Sequence, residues 1–179
     1  MAKNKKSISK SDLEEAIQKH EDWINPDIKG QEMDLSDFDL RDMDLSNRNL
    51  TKINLEDSDL EGANLKGTNL EGADLEDANL EDADLEGANL KNANLEDADL
   101  EGANLQNANL KSANLEDADL EDTNFEGANL HDADFEDANL KGANLKRCDL
   151  SDAKLKDANL EGANLEESNL EGANLKGAN

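Results

Sequence analysis

A leucine or phenylalanine stands at every position divisible by five from Leu35 to Leu175, which makes 29 consecutive units without an insertion. Of these central residues 27 are Leu and two are Phe125 and Phe135. The residue before the centre is Asp or Asn in 28 units, Lys154 being the exception, and the one before that is Ala in 19. Ser58, Thr68, Thr123, Cys148 and Ser168 serve as small substitutes at the Ala place. The unit reads Ala, Asp or Asn, Leu, and then two variable places, often Glu or Lys followed by Gly, Asp or Asn.

A period of five matches neither the helix repeat of about 3.6 nor the coiled-coil repeat of about 3.5, and a long flat strand would repeat at about two. The strand-like spacing survives only inside a unit, where Ala and Leu lie two apart and so share one side of a short extended segment. The next two residues must turn the corner, and Gly, Asn and Asp suit tight turns. Four such sides close a square of 20 residues, with Ala and Leu pointing inward. Coils stacked at roughly 4.8 Å pair their backbones as a parallel β-solenoid, so each Leu lies over the Leu of the coil before it. Composition agrees. With no Val and only four aromatic residues among 179, the chain lacks what usually builds a sandwich, a barrel or a doubly wound sheet.

The run Ala-Asn-Leu-Glu-Gly-Ala-Asp-Leu-Glu-Asp, as in residues 63–82 with minor variation, resembles the pentapeptide-repeat proteins. The resemblance covers about four-fifths of the chain. It implies a right-handed quadrilateral β-helix, an all-β fold of about seven coils over residues 33–179. The handedness comes from the family and not from the spacing.

Residues 11–32 read as a capping helix and connector, and residues 1–10 as a flexible basic N-terminus. Ser11 with Glu14 makes a capping-box pattern, Leu13, Ala16, Ile17, His20 and Ile24 fall on one helical face, and Asn25-Pro26 ends the helix. Met33, Phe38, Met43 and Ile53 put large side chains where Ala belongs, which gives the helix something to pack on. The expected cap residues are therefore Leu13, Ile17, His20, Trp23 and Ile24, with Trp23 as anchor. Family members often carry a similar His and Trp three apart, here read as a satisfied packing pair. At the other end the pattern runs to Asn179 without a cap, which predicts fraying, continuation in a longer chain, or a homodimer through that end.

The net charge of -27 is unevenly placed. The wall centred on Leu35, Leu55 and onward to Leu175 carries -12 and its neighbour, Leu40 to Leu160, carries -10, against -3 and -1 for the other two. The candidate interaction surface is Glu56, Asp57, Glu76, Asp77, Glu96, Asp97, Glu116 and Asp117 on the first wall, with Glu81, Glu101 and Glu121 on the second. Over a rod of about 35 Å these walls hold about one charge per 1.6 Å, near the roughly 1.7 Å of duplex DNA. Some pentapeptide-repeat proteins mimic DNA toward gyrase and topoisomerase IV. The resemblance implies that possibility here, although no insertion supplies the projecting loops of the quinolone-resistance members.

Such a chain should avoid nucleic acid and anionic lipid and favour a protein partner with a basic surface. No apolar run approaches membrane-spanning length and no secretory stretch leads the chain, so the expected address is the cytoplasm. No catalytic, cofactor or metal site is expected. Adjacent carboxylates such as Glu76-Asp77 and Glu116-Asp117 lack the concave, dry pocket that separates two pKa values. His131 reads as a solvated surface residue and Cys148 as a buried thiol at an Ala site. Stacked aspartates offer a hard cation only weak screening. The expected role is a non-enzymatic scaffold with an acidic interaction surface, and the alternative is a DNA-mimicking modulator of type II topoisomerases. Crowded carboxylates predict that mild acidification stabilises the fold.

Overall fold

The computed structural model describes residues 5–25 and 27–179. A parallel bridge joins residue i to residue i+20 continuously, from Asp34 with Asn54 to Lys154 with Asn174. Leu75 and Leu95 are therefore stacked neighbours, and their coils are tied by the Leu75 N–H donating to the Asn94 carbonyl at 2.7 Å. Every central residue from Leu40 to Leu155 is fully buried, and Phe125 and Phe135 meet edge to face with ring centres 6.3 Å apart.

The five-residue unit is explained by where its five backbone N–H groups go. In the unit from Leu80 to Asp84, Leu80 and Asp82 donate to Asp99 and Glu101 of the next coil, at 2.6 and 2.9 Å. Asp84 donates back to Ala63 of the preceding coil at 3.0 Å, and Ala83 closes the corner onto the Leu80 carbonyl at 3.0 Å. The fifth, Glu81, donates to the Oδ1 of Asn79 at 3.0 Å. Buried or half-buried backbone donors must be paired, and this unit pairs all of them. It also explains the Asp or Asn before each Leu, whose side-chain oxygen is within reach of the N–H two residues on. Asn adds a second bond, since its amide donates down the wall, as Asn109 does to Asn89 at 2.9 Å.

At each corner the second residue after the central one has positive φ, from Asp37 at 63° to Gly177 at 84°. Asp, Asn and Gly fill most of these places because they tolerate the left-handed region, while Lys52, Ser112, Arg147 and Glu167 occupy it against preference. Polar substitutes at the Ala place are mostly satisfied inside. Thr68 and Thr123 donate to the Leu45 and Leu100 carbonyls at 2.7 and 2.8 Å, and the Cys148 thiol to the Phe125 carbonyl at 3.0 Å. Ser58 Oγ is buried and, among the described residues, has no partner.

Two N-terminal elements lie against the first coil: β1, Lys6–Ser7, and α1, Lys10–Ile24. β1 pairs in parallel with β2, Phe38–Asp39, so this part of the basic segment is an added strand and not the flexible arm expected from its composition. Residues 1–4 and Pro26 lie outside the described residues. The helix starts two residues earlier than its capping pattern suggested. Ser9, not Ser11, is its N-cap, accepting the Asp12 N–H at 3.1 Å, and Glu14 is drawn away to Arg48. Leu13, Ile17 and His20 are buried with Met33 and Ile53 in the core that continues up the coils.

His20 is held at both ring nitrogens: Nδ1 accepts the Met33 N–H and Nε2 donates to the Thr51 carbonyl, each at 3.1 Å. Trp23, expected as the anchor, is instead 37% exposed and stacks on His20 with centres 5.4 Å apart. Ile24 is half-buried. The connector returns across the helix at Gly30, where a Cβ would lie 1.9 Å from the Trp23 nitrogen and 2.3 Å from the Lys19 carbonyl.

Candidate interaction surface

The acidic residues separate into three structural places. Those just before the central Leu, such as Asp74, Asp99 and Asp119, are half-buried and hold a backbone N–H. Those at the corner, Asp57, Asp77, Asp97 and Asp117, have φ between 55° and 58°, a conformation that Asp supports better than most residues. Only the residue directly after the central Leu is free of a backbone duty for its side chain. On the first wall these are Glu56, Glu76, Glu96, Glu116 and Glu136, and on the second Glu61, Glu81, Glu101 and Glu121.

Between Arg41 and Lys141 these two walls contain no Lys or Arg. Their opposite numbers on the other walls are of mixed sign and pair between coils at three places: Lys66 with Glu86, Lys91 with Glu71 at 3.0 Å, and Lys146 with Glu166 at 2.7 Å. The acidic columns end where bases return. Lys141 pairs with Glu121, and Lys156 with Glu136, so Glu121 is held below the ordinary carboxylate range by its ammonium partner. Within the columns the shift reverses. Partial desolvation, followed by Glu96, Asp74 and Glu56, pushes Glu76 above the ordinary range. Desolvation and the neighbours Asp134, Glu96 and Glu136 do the same at Glu116, and Asp99, Glu61 and Glu101 add to desolvation at Glu81. Asn94 and Asn114 steady Glu76 and Glu96 by donating to them at 3.1 and 3.0 Å. Glu121 thus differs from the rest of the candidate set, being already neutralised.

His131 is half-buried, and its Nδ1 lies 2.9 Å from Ser151 Oγ and 3.1 Å from the Ser151 carbonyl, so it tethers two coils where free solvation was expected. Burial pushes the Cys148 thiol up to about 11, which leaves it an inert packing group. Among the described residues no cluster of three His, Cys, Asp or Glu side chains is arranged to hold a metal, and no helix is long and apolar enough to cross a membrane.

Sequence reasoning missed Arg48. It occupies an Ala place in the first coil. Its guanidinium forks onto Glu21 at 3.0 and 3.2 Å and reaches Glu14 at 2.7 Å, fastening α1 to the coil. Burial works against the Glu21 charge, but Arg48 and the Asn49 N–H hold its carboxyl below the usual range. A basic residue at a core position of the first coil, following a helix that carries two carboxylates seven apart, was the available signal.

The sequence model of the pentapeptide repeats, in eight copies, matches residues 39–77, 78–117, 108–147 and 143–179. None of the curated proteins matches the chain. Among solved structures, a trypsin-treated variant of QnrB1, a plasmid-mediated fluoroquinolone resistance protein, is similar at 20% identity and a TM-score of 0.71. That match covers 80% of this chain and 74% of the other. A second trypsin-treated QnrB1 variant gives 19% identity and a TM-score of 0.69, over 80% of this chain and 76% of that one. HetL of the cyanobacterium Nostoc sp. strain PCC 7120, a pentapeptide repeat protein involved in heterocyst differentiation regulation, is 36% identical over 81% of this chain and 79% of its own, with a TM-score of 0.32. The right-handed β-helix is the fold that this family forms, and with four matched segments running from residue 39 to residue 179 the chain belongs to the pentapeptide-repeat family.

Proposed function

We propose that this protein is a non-enzymatic repeat scaffold whose two acidic walls bind a protein partner with a basic surface. The observation that carries the reading is the base-free run of Glu directly after the central leucines on two adjacent walls, in places where the backbone asks nothing of the side chain. Such a field speeds the approach of a cationic surface and screens away in salt. The test reverses Glu56, Glu76, Glu96 and Glu116 to Lys and leaves the corner aspartates alone, because Lys at positive φ would strain the coil. Capture from extracts of the source cell at low salt should yield partners with the intact chain that the reversed chain loses. The same partner set with both chains would refute the reading.

A second reading is a DNA-mimicking modulator of gyrase or topoisomerase IV. It is favoured by the charge spacing, since 22 net negative charges on two walls over a rod of about 35 Å come close to the roughly 1.7 Å per charge of duplex DNA. The fluoroquinolone-resistance proteins of like fold supply its assay. In a gyrase supercoiling reaction at low salt, micromolar protein should inhibit the enzyme or protect it from a quinolone, and the four-fold Lys variant should not. No effect of the intact chain removes this reading and leaves the first.

A further inference from the structure

Between α1 and the first coil lies a half-open groove of about 490 Å³. Its floor is Met33 and Leu35, and its sides are Ile8, Ala16 and Phe38. The groove arises from the way the helix is seated. Leu13, Ile17 and His20 press one helical face into the core, Gly30 brings the connector tight against the far end of the helix, and Ala16 is too small to fill the space beside them. Lys6, whose ammonium sits 5.4 Å from the Phe38 ring centre, fixes that ring from its own side.

The rim of this apolar groove is charged, with a net negative balance. Asp12, Glu15, Glu32 and Asp34 surround it, and the one base at the rim, Lys19, already pairs with Glu15 at 2.7 Å. The Ser36 N–H donates to Asp34 at 2.9 Å and holds its carboxyl below the ordinary range. An apolar floor within a rim of net negative charge selects a ligand that is apolar at its tip and cationic around it. The volume falls within the range of about 300–1,000 Å³ typical of built sites, enough for one large side chain and its flanking backbone.

We propose that this groove receives a large apolar side chain carried by a lysine- or arginine-rich segment of the protein partner. The proposal rests on the reading of the walls as a surface for basic partners, and adds to it a place where such a partner can bury an anchor. The long-range field of the walls then supplies encounter, and the groove supplies residence.

The test uses the full chain and two fluorescein-labelled peptides of lysine and glycine, identical except for a central phenylalanine in one and alanine in the other. By anisotropy at low salt, the phenylalanine peptide should bind about tenfold more tightly, as burying an aromatic side chain predicts. Ala16→Trp, which fills the groove, should abolish that tenfold difference without weakening the alanine peptide, and Glu32→Lys should weaken both. Because Ala16→Trp could unseat the helix, methyl NMR of the unaltered chain gives a second readout: the phenylalanine peptide alone should shift the Ala16, Leu35 and Met33 methyls. Equal affinities of the two peptides, or shifts confined to residues far from the groove, would overturn the groove proposal while leaving the acidic platform standing. No binding of either peptide would overturn both.

Discussion

Replacing Asn109 separates the two duties of the residue before the central leucine. Its Oδ1 accepts the Lys111 N–H at 3.3 Å and the Asn129 amide at 3.1 Å, and its own amide donates to Asn89 at 2.9 Å. Asn109→Ala removes all three bonds and leaves a half-buried N–H without its acceptor. At about 0.5–1.5 kcal/mol per bond, the cost is about 2–3 kcal/mol once overlap between bonds is allowed for. Asn109→Asp keeps both acceptor bonds, loses the downward donor and sets its oxygen against that of Asn89, so it should cost about 1 kcal/mol. The reverse experiment is Lys154→Asn. Lys154 offers no acceptor to the Lys156 N–H, and its pairing with Asp134 at 2.6 Å is half-exposed, so restoring Asn should gain about 0.5–1 kcal/mol. Urea unfolding followed by circular dichroism reads all three as shifts of midpoint at constant slope. Should Asn109→Asp prove as damaging as Asn109→Ala, the intra-unit acceptor bond is not what the pattern preserves, and the backbone accounting of the unit is wrong.

Three further outcomes follow from the interior and the N-terminal helix. Ser58→Ala should leave stability unchanged or raise it, because Ser58 Oγ is buried without a partner, whereas Thr123→Ala should cost about 1 kcal/mol with the loss of its bond to Leu100; differential scanning calorimetry that ranks them the other way contradicts this. Gly30→Ala should detach α1 from the coil, seen as loss of hydrogen-exchange protection over residues 13–20 with the coils unaffected, since its Cβ would meet helix backbone and not a yielding side chain. The two ends of the pH response have opposite sign. His20, desolvated and bonded in one tautomer, has its pKa lowered from 6.5, the nearby Glu32 and Glu21 only moderating this, so the stability it lends α1 is complete above pH 6.5 and is lost as pH falls toward its folded value. Glu76, Glu81 and Glu116 have raised values, so the coils gain as pH falls through them. Trp23 fluorescence, sensitive to the ring stacked on it, should titrate with a midpoint below 6.5, and a midpoint at or above that value would refute the His20 assignment.

The solenoid was legible because its signal repeats: one misread unit among 29 changes nothing, and the phase never slips. The helix was legible through its face, Leu13, Ile17 and His20, although its start was not, because Ser9 and Ser11 are both credible caps and only the Asp12 N–H distinguishes them. The two-residue β1 carries no periodicity to read. Trp23 was misjudged on its size. The buried face runs through residues 13, 17 and 20, and a residue three beyond His20 sits at its margin, where it stacks over the histidine and faces water. The acidic walls were legible as columns from the period alone, but their sorting was not. Which carboxylates hold backbone, which hold a corner and which only face solvent depends on bonds between coils.

That sorting bears on whether the acid is there for more than solubility. A surface kept only soluble has no reason to stack like charges, because opposite charges facing each other across strands stabilise and like charges destabilise. The other two walls mix the signs and set opposite charges together, Lys66 with Glu86 and Lys91 with Glu71, although Lys111 follows Lys91 on the same wall. The acidic walls do the opposite through Glu56, Glu76, Glu96 and Glu116, in places the backbone leaves free, and at Glu76 and Glu116 the neighbouring carboxylates add to desolvation in raising the carboxyl above its ordinary range. Duplication of coils could copy a column, yet it would copy the mixed-sign walls of the same coils as faithfully. The consequence can be measured at one residue. Glu96→Lys gives up the bond from Asn114 but places an ammonium between two carboxylates, so it should raise the urea midpoint and make the melting temperature less sensitive to salt. It should at the same time weaken capture of a basic partner. A variant that is both more stable and less able to bind would mean that the repulsion is maintained at the expense of the fold. If Glu96→Lys lowers the midpoint, the column is not a site of net repulsion, and its acids need no explanation beyond solvation.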